Sequence, residues 1–204
     1  MKKNMWIEHV RPFFRLSPLQ LICLTAYGEA RGEGRRGMQA IINVIHNRRL
    51  HPIRRFGDLE ILEETRSPYH AVILKRWQFS VFNLDDRNRG IMLRLSNPRI
   101  FEGEARNNNY LKIAVELGEL LRRGTLVDIT GGADHYLRFD LRREWTRGMV
   151  FRGRIGNHVF WSEPPHYFQS PQIYHPEIDY VRPAPTPPEA LPILGVGGLI
   201  IAGG

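Results

Sequence analysis

Hydrophobic residues recur at helical spacing in three stretches of the chain, and the first stretch covers residues 17–30. Its apolar positions lie three and four residues apart, on one face of a helix: Leu19, Ile22, Cys23, Ala26 and Ala30. Ser17 is a favoured N-cap residue, and Pro18 suits the first helical position. The pattern therefore predicts a helix from Ser17 to Ala30.

Two further helices are predicted from the same periodicity. One covers residues 36–49, and Pro52 lies just beyond its end. Its apolar stripe consists of Met38, Ile41, Ile42 and Ile45. The other follows a cap at Asn108 or Asn109 and stops at Gly124, because glycine allows the left-handed conformation there. Its stripe consists of Tyr110, Ile113, Ala114, Leu117, Leu120 and Leu121.

The remaining stretches carry weaker patterns. Residues 53–100 are less periodic, whereas the stretch MVFRGRIGNHVFW, residues 149–161, indicates one or two short strands. Turns are expected there at Gly153 and at Gly156-Asn157. The predicted fold class is α+β, mainly helical with a short β-hairpin region.

The composition changes after Trp161. Nine of the 14 prolines lie in residues 162–204, which predicts an extended tail instead of a second packed domain. The chain is accordingly divided into an N-terminal extension, 1–18, a compact domain, 19–161, and this tail. The last residues, LPILGVGGLIIAGG, are apolar but shorter than the roughly 20 residues that a membrane-spanning helix needs. We expect them to dock on the domain, on a second copy or on a membrane surface.

The overall composition is that of a globular protein with a core, since 42% of the 204 residues are hydrophobic and 25% are charged. The single cysteine, Cys23, rules out an internal disulfide and a multi-cysteine metal site. Its apolar neighbours predict an inert buried thiol. Neither a cofactor nor a metal is expected.

Charge is unevenly distributed along the chain. The net charge is +8, of which residues 1–161 carry +11 and residues 162–204 carry −3. A domain this basic is attracted to a polyanion, which could be nucleic acid, an anionic membrane or a bacterial envelope. Lys2 and Lys3 resemble the start of a secretion signal, but polar residues interrupt the next part of the chain, so no signal peptide is predicted.

Two glutamates lie four residues apart in YGEARGEG, where the first helix is expected to end. Gly28 and Gly32 leave the backbone around Glu29 free of side chains, so a bulky polymer could approach its carboxyl group. Partial burial would raise the pKa of that group and keep it protonated near neutral pH, as a general acid requires. The alternative is that Glu29 and Glu33 are ordinary surface residues at a frayed helix end.

Two other stretches mix polar and aromatic side chains. QFSVFN, residues 78–83, has the composition of a sugar-binding groove or of a half-buried strand. TGGADHY, residues 130–136, offers a hydroxyl, a histidine and a tyrosine, but also fits a tight loop. His158 is a lone histidine on a predicted strand and is interpreted as structural.

Four motifs together resemble a known family: YGEARGEGRRGMQAIINVIHNR, WQFSVFN, TGGADHY and RIGNHVFW. In this order they are similar to the cell wall hydrolases typified by the bacterial spore cortex-lytic enzyme, above all to phage and prophage members. The resemblance covers about residues 19–161 and implies a small lysozyme-like domain that acts on peptidoglycan glycan strands, with Glu29 as the catalytic acid. Where the family usually has Pro-Gly, this chain has Arg76-Trp77, which puts the local turn and one sugar subsite in question.

The resemblance also implies roles for other motif residues. Those expected to hold the glycan are Gln78, Phe79, Ser80, Thr130, Gly131, His135 and Tyr136. The favoured reaction is lytic transglycosylation, which leaves 1,6-anhydro ends. Hydrolysis is the alternative, and Glu33 is the only second carboxylate close in sequence that could support it.

The implied context is a phage or prophage lysin, or a wall-degrading protein of the virion. Such a protein is made in the host cytoplasm and reaches the cell wall by holin-type release or inside a phage particle. Its partner is peptidoglycan. Residues 162–204 are expected to contact other virion proteins or a second copy of the chain, and no specific nucleic acid is expected.

Other functions account for fewer features of the sequence. A nucleic-acid-binding protein explains the basic domain, but neither the glutamate-glycine motif nor the scattering of the arginine pairs. A metalloenzyme needs a ligand pattern, yet His46 and His51 lie five residues apart and no His-Glu-x-x-His motif occurs. A structural virion protein, with or without cutting activity, differs from the favoured interpretation mainly in context.

Overall fold

The computed structural model of the protein describes residues 4–141 and 143–164. Within them the α-helices are α1 Met5–Val10, α2 Pro18–Ala30, α3 Gly34–Leu50, α4 Ile53–Phe56, α5 Leu59–Thr65, α6 Pro68–Ile73, α7 Arg89–Leu95, α8 Pro98–Asn107 and α9 Asn109–Arg122. Short 3₁₀ segments cover Arg11–Arg15, Arg31–Glu33, Ser80–Phe82 and Glu144–Thr146. The strands are β1 His135–Arg138, β2 Val150–Ile155 and β3 His158–Ser162. The docking predicted for the last residues of the tail lies outside the described residues.

Helix α2 runs through the centre of the fold, which confirms the first predicted helix. Ser17 caps it by accepting a hydrogen bond from the backbone of Gln20, whose side chain accepts one from the backbone of Ser17. Nine of its 13 residues are buried, so the predicted one-sided stripe is wrong and the helix is apolar all round. Burial raises the pKa of the Cys23 thiol to about 12, which confirms an inert thiol.

Helices α3 and α9 pack against α2 and confirm the other two predicted helices. Helix α3 begins at Gly34, two residues before the predicted start. The Asn108 side chain caps α9, and Gly124 follows that helix with a φ of 69°. A Cβ atom at Gly118 would lie 2.5 Å from the Sγ atom of Cys23, so glycine is what lets α9 approach α2 this closely.

The three strands form one antiparallel sheet with the order β1-β3-β2. Strands β2 and β3 make the predicted hairpin, which turns at Gly156-Asn157. Gly153 lies inside β2 at an irregularity of the register, so the turn predicted there is wrong and the residue belongs to a bulge. Phe160 of β3 and Ala40 of α3 share a second small core, which fixes the sheet on the helical layer.

The N-terminal segment, residues 4–16, packs into the main core. Phe13 is fully buried, and the ring N–H of Trp6 donates to the carbonyl of Leu74 at 2.8 Å. At the other end, Glu163 is 2% exposed. The predicted domain division stays a prediction, but packing continues across both of its boundaries. Within the described ranges, no helix combines the length and the apolar character that crossing a membrane requires.

Candidate active site

Glu29 lies in the last turn of α2, partly buried, and three donors surround its carboxylate. The hydroxyl of Ser80 donates to it, with its oxygen 3.1 and 3.2 Å from the two carboxylate oxygens. The backbone N–H of Val81 donates at 3.0 Å, and the hydroxyl of Tyr136 donates as well. The fold thus brings the 3₁₀ segment Ser80–Phe82 and strand β1 together at the end of one helix.

Burial controls the protonation of Glu29. Removal from water disfavours the ionised form and raises the pKa of this carboxyl group above its ordinary value. Hydrogen bonds from Val81, Tyr136 and Ser80, and then the charge of His158, favour the carboxylate and limit the rise in pKa. Glu29 therefore keeps its proton to a higher pH than a free glutamate, while three donors stabilise its ionised form.

A cleft of about 730 Å³ opens over Glu29, a volume within the range of ligand-binding sites. Among the residues that the structure describes, Glu29 is the only carboxylate in its lining. Aromatic, amide and cationic side chains make up much of the rest. The lining residues that sequence analysis did not single out include Arg48, Leu141, Arg143 and Trp145.

Four of the predicted glycan-binding residues line this cleft: Gln78, Ser80, His135 and Tyr136. Phe79 does not, because it is 1% exposed and packs against the Tyr136 ring at 6.1 Å between centroids. Thr130 is buried too, and its hydroxyl donates to Asp128 at 2.6 Å within the loop. Gly131 belongs to the same loop and lies outside the cleft lining. The positions of these last three residues do not support direct contact with a glycan.

Arg48 lies beneath the cleft and is 5% exposed. Its guanidinium donates to the backbone carbonyls of Asp134 at 2.6 Å and Gln78 at 3.3 Å. The same group lies 5.0 Å from the centroid of the Phe79 ring. Arg48 therefore links the two loops that carry the site residues. In the sequence it is one of a pair of arginines at a helix end, and no local signal distinguishes a buried arginine from an exposed one.

Glu33 lies behind the cleft lining and contacts the β2–β3 turn. Its carboxylate pairs with Nδ1 of His158 at 2.8 Å and accepts a hydrogen bond from the backbone of Asn157 at 3.2 Å. The turn can come this close because residue 156 is a glycine. A Cβ atom at this position would lie 2.3 Å from the Glu33 carboxylate. His158, interpreted from the sequence as structural, lines the cleft with its ring 5.2 Å from that of Tyr136. Glu33 is thus positioned to hold His158. Its contacts do not support the role of a second carboxylate that faces a glycan.

A buried hydrogen-bonded network centred on Asp134 supports the floor of the cleft. Nδ1 of His135 lies 2.6 Å from the Asp134 carboxylate, Nε2 of His51 lies 3.3 Å from it, and the backbone N–H of Glu163 donates to it at 3.2 Å. Burial alone would raise the pKa of Asp134, but the hydrogen bonds from His135 and His51 outweigh it and hold that pKa well below its usual range.

The same network contains three side chains with the chemistry of metal ligands: His51, Asp134 and Glu163. Their ligand atoms lie within 4.8 Å of one another. Arg55 forms an ion pair with Glu163, and two histidines contact Asp134, so each of these carboxylates already has a partner within the protein. The arrangement is accounted for as a structural network, and the expectation that the site needs no metal stays a prediction.

The turn before the Gln-Phe-Ser stretch is retained although Arg76-Trp77 stands in it. The backbone N–H of Gln78 donates to the carbonyl of Lys75 at 3.1 Å, which closes the turn. Trp77 adopts a φ of +69° and lines the cleft. A positive φ at the third residue alone is the pattern of a type II turn, in which glycine or asparagine is the usual residue.

A mainly helical α+β domain with one partly buried carboxyl group in a cleft has the parts that acid catalysis on a polymer requires. The family profile described as Cell Wall Hydrolase matches residues 32–161, well over half of the chain. The chain therefore belongs to the cell wall hydrolase family, and it is a peptidoglycan-degrading enzyme. The family resemblance and the α+β fold class are confirmed. The match begins after Glu29 and includes Glu33, so the role of Glu29 rests on its geometry and on the motif around it.

Two solved structures are similar to the chain. The crystal structure of the catalytic domain of the Bacillus cereus SleB protein has a TM-score of 0.46 and 21% identity, covering 71% of this chain and 89% of that one. The catalytic domain of the germination-specific lytic transglycosylase SleB from Bacillus anthracis has a TM-score of 0.46 and 22% identity, covering 71% and 93%. No curated protein matches the chain.

Proposed function

We propose that the protein cleaves peptidoglycan glycan strands between N-acetylmuramic acid and N-acetylglucosamine by lytic transglycosylation. One observation carries the proposal. Glu29 is a partly buried carboxyl group with a raised pKa, and it is the only carboxylate among the described residues that line the cleft. A single group of this kind suits a reaction in which the same residue acts first as an acid and then as a base.

The reaction begins with transfer of the Glu29 proton to the glycosidic oxygen. The bond between that oxygen and C1 of the muramic acid breaks, and positive charge develops at C1. The 6-hydroxyl oxygen of the same sugar then bonds to C1 and gives its proton to the Glu29 carboxylate. The sugar closes as a 1,6-anhydro ring, and the enzyme returns to its starting protonation state without consuming water.

The surroundings of Glu29 support both halves of this cycle. The raised pKa keeps the proton available for the first transfer. After that transfer, the donors on Ser80, Val81 and Tyr136 stabilise the carboxylate until it accepts the second proton. A hydrolase would normally need a second carboxylate beside the bond, and Glu33 is committed to His158 and the hairpin turn.

The products of wild-type and Glu33→Gln protein test the proposal. Mass spectrometry of muropeptides from purified peptidoglycan should show ends lighter by one water molecule than hydrolysed ends, with both proteins. Glu33→Gln loses the ion pair with His158 and should lower the rate of release by about tenfold at most. Hydrated ends that disappear in this variant would establish hydrolysis with Glu33 as the second carboxylate. No release by the wild type would contradict the proposed activity.

We also propose that the protein belongs to a phage or prophage, either as a lysin or as a wall-degrading part of the virion. The motif resemblance to phage members supports this context, and so does the contrast between the basic domain and the proline-rich tail. The basic domain would hold the enzyme on an acidic cell wall, and salt would weaken that hold.

Deletion of residues 165–204 tests the role of the tail. The chain is cut after Pro164 because Ser162 and Glu163 are buried and belong to the fold. We expect light scattering to show assemblies of the full chain and monomers of the shortened chain, with equal peptidoglycan cleavage per molecule. Monomers in both samples would favour a free lysin over a virion component that assembles through its tail.

A further inference from the structure

Trp77 stands at a turn position where glycine or asparagine is usual, and it carries backbone strain that its packing does not offset. A φ of +69° brings the Cβ atom of a bulky residue too close to the following carbonyl oxygen. The other non-glycine residue with positive φ in the described ranges, Arg66, ends helix α5, where a left-handed residue is common. Trp77 is the third residue of its turn, where a tryptophan meets this strain and a glycine would not, and its side chain is 70% exposed, so burial does not offset the strain.

The position of Trp77 supplies a reason for the strain. Its side chain lines the same cleft as Glu29, and Gln78 and Ser80, which come shortly after it in the chain, line it too. Strained residues concentrate at functional sites because selection retains them there against their cost in stability. In this conformation the turn presents a large aromatic ring to the cleft, where a glycine would present nothing.

Among the residues that the structure describes, the surroundings of the Trp77 ring leave one of its faces open. The guanidinium carbon of Arg76 lies 5.0 Å from the centroid of the Trp77 ring, over one face. With most of the side chain exposed, the other face is free to contact a ligand. The faces of a pyranose ring carry C–H groups, and its edge carries hydroxyl and amide groups. A flat indole with amide and hydroxyl neighbours therefore matches a sugar ring better than it matches an extended peptide or a lipid chain.

We propose that Trp77 is a sugar-binding platform, on which an N-acetylhexosamine ring of the glycan strand stacks at a subsite beside the cleavage point. This proposal rests on the function proposed above and adds a residue that sets affinity for the strand. Trp77 contributes binding that is present before and during the reaction. Its removal should therefore raise KM and leave kcat nearly unchanged.

Four variants separate a binding role from a structural one. Trp77→Gly removes the ring and relieves the backbone, whereas Trp77→Phe keeps an aromatic ring in the same turn. Arg66→Gly relieves the other strained residue at a helix end outside the cleft lining. Tyr110→Ala removes an aromatic residue of α9 that is 50% exposed and is not part of the lining.

The measurements are KM and kcat on soluble glycan oligosaccharides, the melting temperature, and calorimetric binding of the same oligosaccharides in a Glu29→Gln background. Trp77→Gly should raise KM about tenfold, which corresponds to the loss of one good aromatic contact. Its melting temperature should stay the same or rise by about 2–4 °C. Trp77→Phe should keep KM within about threefold of the wild type, and the two control variants should not change it.

The outcomes distinguish the platform from the reaction itself. Wild-type KM and binding in Trp77→Gly would overturn the platform while leaving the proposed function intact. Loss of activity together with a lower melting temperature in Trp77→Gly would show that the ring supports the fold, which also overturns the proposal. If the wild type binds the oligosaccharides without cleaving them, and Trp77→Gly weakens that binding, the platform stands and the proposed reaction fails.

Discussion

Glu29→Gln is expected to lower the release of soluble muropeptides by about a thousandfold, because an amide cannot give a proton to the glycosidic oxygen. The measurement is the initial rate of release from purified peptidoglycan near neutral pH. Glu116→Gln is the matched control, since Glu116 is an exposed glutamate paired with Arg35 outside the cleft. That control should cleave at the wild-type rate. A Glu29→Gln protein that keeps more than about a tenth of the activity would remove Glu29 from the mechanism.

The pH dependence of the wild type provides a second readout on Glu29. The protonated carboxyl group is the active form for the first step, so the rate should fall as pH rises through the pKa of Glu29. Because burial raises this pKa, the fall should occur at a higher pH than a free glutamate would give. A decline that tracks the ordinary glutamate pKa of about 4.3 would contradict the assignment.

Thermal unfolding of Glu29→Gln separates lost chemistry from lost structure. The pKa of Glu29 is higher in the folded state than in the unfolded state. The folded wild type therefore binds this proton more tightly, and it loses stability as pH rises from the unfolded pKa through the folded one. Glutamine does not titrate. The melting temperature of Glu29→Gln should therefore exceed that of the wild type by more at about pH 8 than at about pH 5. An inactive variant that melts lower at both pH values would show damage to the fold instead.

Asp134→Ala is expected to destabilise the folded protein by about 3–5 kcal/mol, the largest stability effect among these variants. Asp134 is completely buried, and its carboxylate contacts His51, His135 and the backbone of Glu163. Alanine leaves these donors without an acceptor inside the protein, where an unpaired polar group is costly. Urea unfolding at neutral pH measures the change in the free energy of unfolding.

The pH dependence of this loss results from the lowered pKa of Asp134. A carboxyl group whose folded pKa is depressed contributes stability above its unfolded pKa, and the contribution is lost as pH falls toward the folded value. The difference between wild type and Asp134→Ala should therefore shrink below about pH 4. Asp140→Ala is the control, because Asp140 pairs with Arg138 on the surface and should change stability by less than about 1 kcal/mol. Equal decreases in the free energy of unfolding for Asp134→Ala and Asp140→Ala would contradict a structural role for the buried network.

The main helices could be predicted because their signals lie within the segments themselves. Cap residues stand directly at the starts of α2 and α9, and apolar residues repeat along each helix long enough to show a period. The predicted ends of α2, α3 and α9 lie within two residues of the observed ones. The helices between residues 53 and 107 could not be recognised in this way, because each has only four to ten residues.

The candidate acid could be identified from its motif, but its partners could not. Ser80 lies 51 residues after Glu29, and β1 brings Tyr136 from further along the chain. The sequence also did not show in which directions the side chains of neighbouring residues point. Phe79 and Ser80 are adjacent, yet the first is buried in the core and the second contacts the carboxyl group of Glu29.

The sequence alone was enough to identify the family, the three long helices with their caps, the hairpin turn and the motif that contains Glu29. These features depend on side-chain periodicity and on backbone preferences, which act over a few residues. The packing of the folded chain, by contrast, determines that Glu33 holds His158, that Arg48 is buried beneath the cleft, and that Trp77 stands exposed in a strained turn. The pKa of Glu29 belongs with these, because it depends on desolvation and on donors brought together from distant parts of the chain. Such contacts arise from packing, and a linear pattern of residues does not specify them.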